Sequence, residues 1–424
     1  MEKEVSYTEK TVSTRVAGAP HDHLPFAGLR VLDLSQGLAG PYCGMLLAQH
    51  GADVVKLEPP DGDWSRAIGT RHGCHSAIDY MANRGKRSLA LDLKRPACAE
   101  AALRIAEQCD VVIESFRPGV AQRLGIGYPQ VRERHPDVVY LSVSGFGQTG
   151  PHAGLPATDT VMQGFSGMMA INADAQGRPR RLGFLAVDTL TALYAFQAVS
   201  AALYARLRGA PGRHIDVSLL QASAAFLAPK IVEASLEGEH PAPLNVPAGV
   251  YRTSDGWLAI TLSKEPHFAA LCRAAGRDDL AQDPRFGSFA KRAPHAAWLE
   301  AEFGAVLQQR STADWLERLA AGGVVASRVN TMADWLSDPV VAATGAATPV
   351  TDEALEFRFP RIPGVAESHP GDPRHRWPAI GSDSLAILES FGFDRTQADG
   401  LLAHAPARDP PPTHGDTHHA TQVT

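Results

Sequence analysis

"LRVLDLSQGLAGPYCGMLLAQHGADVVKLEPP", Leu29–Pro60, decides the fold. "LRVLDLS" is an apolar run of strand length, and "GLAG" reads as a turn. "PYCGMLLAQHG" reads as a helix with Pro41 at its first position, where a missing N–H is harmless. "ADVVKLEPP" is a second apolar run, stopped by Pro59 and Pro60. Further along, "RSLALDL" (Arg87–Leu93), "PACAEAALRIAEQC" and "DVVIESF" repeat the strand–helix–strand rhythm, and "DVVYLSVSGFG" adds another apolar run. Such alternation predicts an α/β domain with a mostly parallel sheet.

"VDTLTALYAFQAVSAALYARLRG" (Val187–Gly209) is apolar nearly all round and reads as a buried helix. Near Glu237 the character changes. The Pro-rich "HPAPLNVPAGVYRTSDGWLAITL" leads into a hairpin whose turn is Ser254-Asp255-Gly256, and amphipathic helices follow through "WLERLAAGG". The expected organisation is an unstructured arm over 1–24, a large domain over 25–235, a small domain over 236–349, a return to the large domain over 350–406, and an unstructured tail over 407–424. In that tail His414, His418 and His419 read as solvated rather than as metal ligands.

The chain has 424 residues, 44% of them hydrophobic and 20% charged, as in ordinary globular proteins. A net charge of −6 without a long basic run argues against a nucleic-acid surface. Five scattered cysteines, none in CxxC spacing, suggest neither a disulfide framework nor a zinc site, and a reducing cytoplasm is the expected compartment. No run of eighteen apolar residues occurs, so no membrane span is expected.

Few motifs carry chemistry. "GFGQTG" (Gly145–Gly150) has dinucleotide-loop spacing but is followed by "PHAGLPATD" instead of a helix, and so reads as a loop at a strand end. Backbone N–H groups of the Gly37–Gly40 turn and the helix after it are placed to cradle an anion. Basic residues recur near strand ends at Lys56, Arg66, "NRGKRS" (Asn83–Ser88) and "SFRPGVAQRLG" (Ser115–Gly125), where a phosphorylated ligand of a parallel sheet would lie. The candidate reactive groups are carboxylates, Asp159, Asp174 and Asp188, each of which also suits a cap or turn.

Together "LRVLDLSQGLAGPYCGMLLAQHGADVVKLEPPDGD", "NRGKRSLALDLK", "ESFRPGVAQRLGIGY", "VVYLSVSGFGQTGPHAGLPATD", "GRHIDVSLLQA" and "VNTMADWLSDP" resemble the class III CoA-transferase family, which includes the α-methylacyl-CoA racemases. The matches keep the family's order between Pro25 and about Ala403. The resemblance implies a large Rossmann-like α/β domain, a smaller inserted α+β domain, and a homodimer of two interlinked chains. It implies no tightly bound cofactor, with coenzyme A and acyl-CoA as substrates and a carboxylic acid as partner substrate. CoA contacts carry over to Gln36, Gly37, Leu38, Ala39, Lys86, Phe116, Arg117, Val120 and Arg123. Trp64 and Arg66 in "GDWSR" are candidates for lining the pocket.

The family's transfer uses an aspartate nucleophile, which attacks the thioester and passes through an anhydride to an aspartyl-CoA thioester. In many members, by this resemblance, it immediately precedes Gly-x-Pro, twelve positions before the aspartate that opens the long helix. Here 188 − 12 = 176, and that residue is Gln176, before Gly177-Arg178-Pro179. An amide cannot serve. Three readings are open: Asp174 takes the role from two residues away; Asp188 or Asp159 carries another reaction, such as racemase-like proton transfer; or the protein binds CoA without transfer. In the racemases a histidine stands directly before the position of Asp159 and works with the aspartate matching Asp188, whereas this chain has Thr158. Leu38 replaces the glutamine of formyl-transferring members, which disfavours a formate/oxalate pair. Arg178, Arg180 and Arg181 would suit the second carboxylate of a dicarboxylic acid.

Overall fold

Apolar runs become the strands of one sheet because a strand covered by helices on both faces must be apolar on both. The computed structural model describes residues 24–403 apart from 175, 239–242, 244, 369 and 370. The expected arm and tail, with His414, His418 and His419, lie outside the described residues. In chain order the elements are β1 (Arg30–Asp33), α1 (Ala39–Gln49), β2 (Asp53–Glu58), the two-residue strands β3 (Arg71–His72) and β4 (His75–Ser76), α2 (Ala77–Asn83), β5 (Arg87–Ala90), α3 (Pro96–Ala106) and β6 (Val111–Glu114). They continue through α4 (Val120–Arg123), α5 (Tyr128–Arg134), β7 (Val139–Ser144), α6 (Asp159–Phe165), α7 (Met168–Ile171), α8 (Ala186–Leu207), β8 (Arg213–Ser218), α9 (Leu219–Phe226) and α10 (Ala228–Glu237).

Six strands pair in the order β5-β2-β1-β6-β7-β8, and every pairing is parallel. β8 escapes a reading by apolar runs because it lies at the sheet edge and alternates, with Ile215 and Val217 turned into the core. On one face α1 and α8 pack Cys43, Leu47, Val199 and Leu203 against Val31, Val111 and Val139. On the other, α3 and a helix near the chain's end, Ser384–Ser390, pack Ala102 and Ile387 against Leu32, Val112 and Tyr140. The long helix departs from expectation. Thr191, Ala195, Val199 and Ala202 are buried, but Leu193, Tyr204 and Leu207 are 45%, 62% and 87% exposed, so only one face of α8 is core.

The chain divides into two compact units. One contains the described residues up to 228 together with 351–355 and those from 362; the other contains 229–350 and 356–361. In the second, β9 (Gly249–Arg252), β10 (Trp257–Thr261) and β11 (Val325–Arg328) form an antiparallel sheet ordered β11-β10-β9. The Asp255 carboxylate in the β9–β10 turn accepts from the N–H and hydroxyl of Thr312 at 2.7 and 2.9 Å. Trp315, Phe303, Phe268 and Leu258 fill the core of that unit.

A buried ionic network lies near the carboxyl ends of β1, β2 and β5. Lys56 Nζ is 2.7 Å from Asp63 and also donates to the Ser35 carbonyl. Lys86 Nζ donates to Asp33, Asn83 and the Pro41 carbonyl at 2.7–2.8 Å. Arg66 grips Glu58 through Nε and Nη2 at 2.9 and 2.8 Å and reaches Asp79 with Nη1 at 2.9 Å. His75 Nδ1 meets the same Asp79. Burial disfavours a charged His75 ring, but its bond to Asp79 outweighs this and pushes its pKa up to about 9. With His75 protonated, four cations face Asp33, Glu58, Asp63 and Asp79, so the buried charges balance.

Removing one partner strands another in a low-dielectric interior. Lys56→Met is therefore expected to lower the stability by about 3–5 kcal/mol, read from urea unfolding. The stabilisation from His75 is complete below its ordinary value of 6.5 and disappears as pH rises through about 9. The unfolding temperature should fall more between pH 7 and 10 in the wild type than in His75→Gln.

Candidate functional site

The order in which strands are added reverses between the two central strands: the chain leaves β1 toward β2 on one side, while β6 leads to β7 on the other. Ligands of open parallel sheets lie beyond the carboxyl ends of the strands at such a point. Here the residues after β1 and β6 face each other. Gln36 N–H donates to Ser115 Oγ at 2.9 Å, and that hydroxyl donates back to the Gln36 carbonyl at 3.2 Å.

Gly37 has φ +85°, and a Cβ on it would lie 2.6 Å from the Trp64 ring, so glycine is required there. Its N–H is bound by the Asp63 carboxylate at 3.0 and 3.2 Å, which uses one of the donors expected to cradle an anion. Leu38 and Ala39 are buried where α1 begins, and this helix start has no side-chain cap. Half-buried Phe116 and Val120, with exposed Arg117 and Arg123, belong to the segment after β6. Among the described residues, no carboxylate lies within ion-pair distance of either arginine. Glu114, which sequence reasoning passed over, accepts the Phe116 N–H at 2.7 Å, and burial pushes its pKa up to about 7.

Two expectations change. Lys86 is buried with all three donors used inside the protein, which leaves none for CoA; the "NRGKRS" lysine holds α1 to α2 through Pro41 and Asn83. Arg66 is likewise consumed by Glu58 and Asp79 and does not line a pocket, whereas Trp64 remains 55% exposed beside Gly37. Both basic residues look like ligand contacts in sequence because their carboxylate partners are distant or hidden in apolar runs.

α8 links two parallel strands, so it runs against them and begins at the same sheet edge as the β1–β6 crevice. α1 runs the same way, and the two helices pack together. His50, just after α1, stacks on Phe196 of α8 with ring centroids 5.3 Å apart. At 1.5 Å per residue, Asp188 lies about 12 Å and Ala39 about 16 Å back along their helices from that contact. The start of α1 and the first turn of α8 are thus at nearly the same level.

The three aspartates are in different states. Asp159 is 2% exposed. Its Oδ2 accepts the N–H groups of Val187 at 2.7 Å and Asp188 at 3.3 Å, capping α8 from α6, while Oδ1 accepts from Gln163 at 2.6 Å. Gln163 in turn binds the Phe184 carbonyl and the Leu182 N–H at 3.2 and 2.9 Å. Asp174 is a turn former. Its Oδ1 accepts from the Gln176 and Arg178 N–H groups at 3.1 and 3.0 Å, and Gly177 at φ +76° closes the turn. Both bonds fall on one oxygen of Asp174, and Gln176 is an exposed residue of the same turn. Asp188 is half-buried, and among the described residues nothing donates to its carboxylate. Burial first, and the neighbouring Asp159 second, push its pKa up to about 7. A carboxylate so placed is accessible, weakly solvated and basic enough to be a good nucleophile.

Residues 26–384 match CoA-transferase family III. The chain belongs to that family. It is 33% identical to a succinate–glutarate CoA-transferase of Agrobacterium fabrum over 87% of this chain and 96% of that enzyme. It is 34% identical to an acetyl-CoA:oxalate CoA-transferase of Acetobacter aceti over 82% and 92% respectively. A CAIB/BAIF family protein from Brucella suis has the same fold, with a TM-score of 0.75 and 31% identity over 87% of this chain and 99% of that one. The activity is accordingly that of a family III acyl-CoA:carboxylate CoA-transferase.

If the Asp188 carboxylate is the attacking group, kcat/KM for the acyl-CoA rises with pH through about 7 and is lost below it. A profile flat from pH 5.5 to 8.5 would exclude Asp188 from that role.

Proposed function

We propose that the protein moves CoA from an acyl-CoA thioester to a dicarboxylic acid through Asp188. The observation that carries this reading is the half-buried Asp188 carboxylate, which accepts no bond among the described residues and lies at the same sheet edge as the hydrogen-bonded turns of Gln36 and Ser115. The carboxylate attacks the thioester carbonyl and expels the CoA thiolate, giving a mixed anhydride. The thiolate then attacks the aspartyl carbonyl of that anhydride, releasing the donor's acid and leaving an Asp188-CoA thioester. The acceptor carboxylate displaces the thiolate to form a second anhydride. Attack of the thiolate on its acceptor-derived carbonyl gives the new acyl-CoA and restores Asp188. Each step exchanges one acyl bond for another, so no external energy source is needed.

CoA is proposed to lie along Gln36–Ala39 and the Phe116–Arg123 segment, where Arg117 and Arg123, without an ion-pair partner among the described residues, offer guanidinium groups to phosphate. The names of the relatives, with succinate, glutarate and oxalate among their acids, support a dicarboxylic substrate. Proton transfer at the α-carbon is a second reading favoured by the same basic carboxylate, but Thr158 supplies no second base. We place the enzyme in the cytoplasm, a reading supported by its five unpaired cysteines.

A homodimer is proposed because α8 and α9 expose large apolar side chains, including Tyr204 and Leu207 of α8 and Phe226 of α9, the second of these 87% exposed. Sedimentation should give twice the chain's 45.2 kDa.

Incubation with succinyl-CoA and hydroxylamine, followed by peptide mapping, is expected to place a hydroxamate on Asp188. Asp188→Asn should abolish both the adduct and turnover, whereas Asp174→Asn should retain at least half the activity. An adduct on Asp174 would overturn the assignment, and deuterium wash-in without any adduct would favour proton transfer.

A further inference from the structure

The loop that feeds α8 carries Arg178, Arg180 and Arg181; the first two are held through main-chain bonds, the third through its side chain. Arg178 belongs to the Asp174 turn, with its N–H on the Asp174 carboxylate and its carbonyl accepting the Asp174 N–H at 3.0 Å. Arg180 is held by backbone bonds to Met169 and by Asn172, on the α7 side. Arg181 reaches the start of α6: its Nη1 donates to Thr160 Oγ1 at 3.3 Å, and Thr160 directly follows Asp159 in sequence. The next residue, Leu182, hangs by its N–H from the buried Gln163, which also binds Asp159. Arg181 is thus fixed to the same scaffold that caps the Asp188 helix.

Its charge has a function to fill. Among the described residues, no carboxylate lies within ion-pair distance of Arg181, and Thr160 occupies one of the five N–H donors of a guanidinium. The Asp159 carboxylate leaves negative charge at the reaction centre even while Asp188 carries CoA as a neutral thioester, which opposes an acceptor carrying two negative charges more than one carrying a single charge. A planar fork held at Thr160, the residue after Asp159, would offset that repulsion and match a carboxylate two-point.

We propose that Arg181 is the specificity-determining residue, which grips the non-reacting carboxylate of a dicarboxylic substrate while the other reacts at Asp188. This rests on the reading of Asp188 as the acyl carrier. It singles out one arginine of three and makes the choice of dicarboxylate over monocarboxylate a property of that side chain.

The test uses full-length enzyme with succinyl-CoA as donor, and compares dicarboxylates of two to six carbons with monocarboxylates of equal length as acceptors. In a ping-pong reaction the acceptor kcat/KM does not depend on the donor, so the ratio of the two acids isolates the acceptor contact. Wild type should prefer the dicarboxylate. Arg181→Met should lower the ratio at least tenfold, chiefly through KM of the dicarboxylate, and Arg181→Lys should recover part of it by restoring charge without the fork. Arg178→Met should leave the ratio unchanged. The proposal is overturned if Arg181→Met depresses both acids equally, if Arg178→Met shifts the ratio as much, or if wild type shows no preference. The hydroxylamine adduct needs no acceptor. Its presence on Asp188 with an unchanged ratio defeats the Arg181 proposal alone, whereas its absence in wild type defeats the transfer reading beneath it.

Discussion

The Lys56–Asp63 ion pair fixes the chain where β1 turns into α1, and the crevice is built on that turn. Lys56 holds the Ser35 carbonyl, Asp63 holds the Gly37 N–H, and the Trp64 ring leaves room beside Gly37 for no side chain. One short buried contact thereby sets the backbone of Ser35–Gly37, which also meets Ser115 across the crevice. The pair survives burial because it belongs to a larger set in which Lys86, Arg66 and protonated His75 neutralise the remaining carboxylates. A fully buried lone pair would gain little over apolar residues, so a connected network that also supplies hydrogen bonds to backbone is the arrangement that gives it a structural use.

A similar division of labour operates at the start of α8. Asp159 spends its carboxylate on two backbone N–H groups and on Gln163, so it positions the helix, and these three bonds with its burial hold it back from attack. Asp188 takes no such bond and is left with its charge half-desolvated beside another carboxylate. A helix N-terminus ordinarily favours a carboxylate. Here burial and the Asp159 charge outweigh that effect, and the raised proton affinity is the sign that they do. The stability lost at Asp188 is local, because the capping bonds of Asp159 and the anchoring of Leu182 and Phe184 by Gln163 hold the same turn in place.

Much of the fold was legible in the order of apolar runs. Strands β1, β2, β5, β6 and β7 and helices α1, α3 and α8 coincide with stretches that alternate between strand-length apolar segments and helical ones. β8 was not, since an edge strand buries one face and its Arg213, His214 and Asp216 dilute the signal. α6 and α7 are separate helices because Gly167 between them takes φ +83°. The Gln36–Ala39 and Phe116–Arg123 segments were legible as the loops after β1 and β6, because the alternation of strands and helices fixes which loops share an edge.

By itself, then, the sequence determined the parallel sheet, the edge at which ligands gather and the set of aspartates among which the reactive one is to be sought. Apolar patterning and chain order suffice for that, as both are properties of neighbouring residues. Tertiary structure alone decided which polar groups are spent. Lys86 finds Asp33 fifty-three positions away, Arg66 finds Asp79, and Asp159 finds the N–H groups of α8 twenty-eight and twenty-nine residues on. Asp174 closes a turn on itself, and Asp188 finds no donor among the described residues. Whether a charge is paired or left to react depends on partners distant in sequence, and only folding brings them within hydrogen-bond reach.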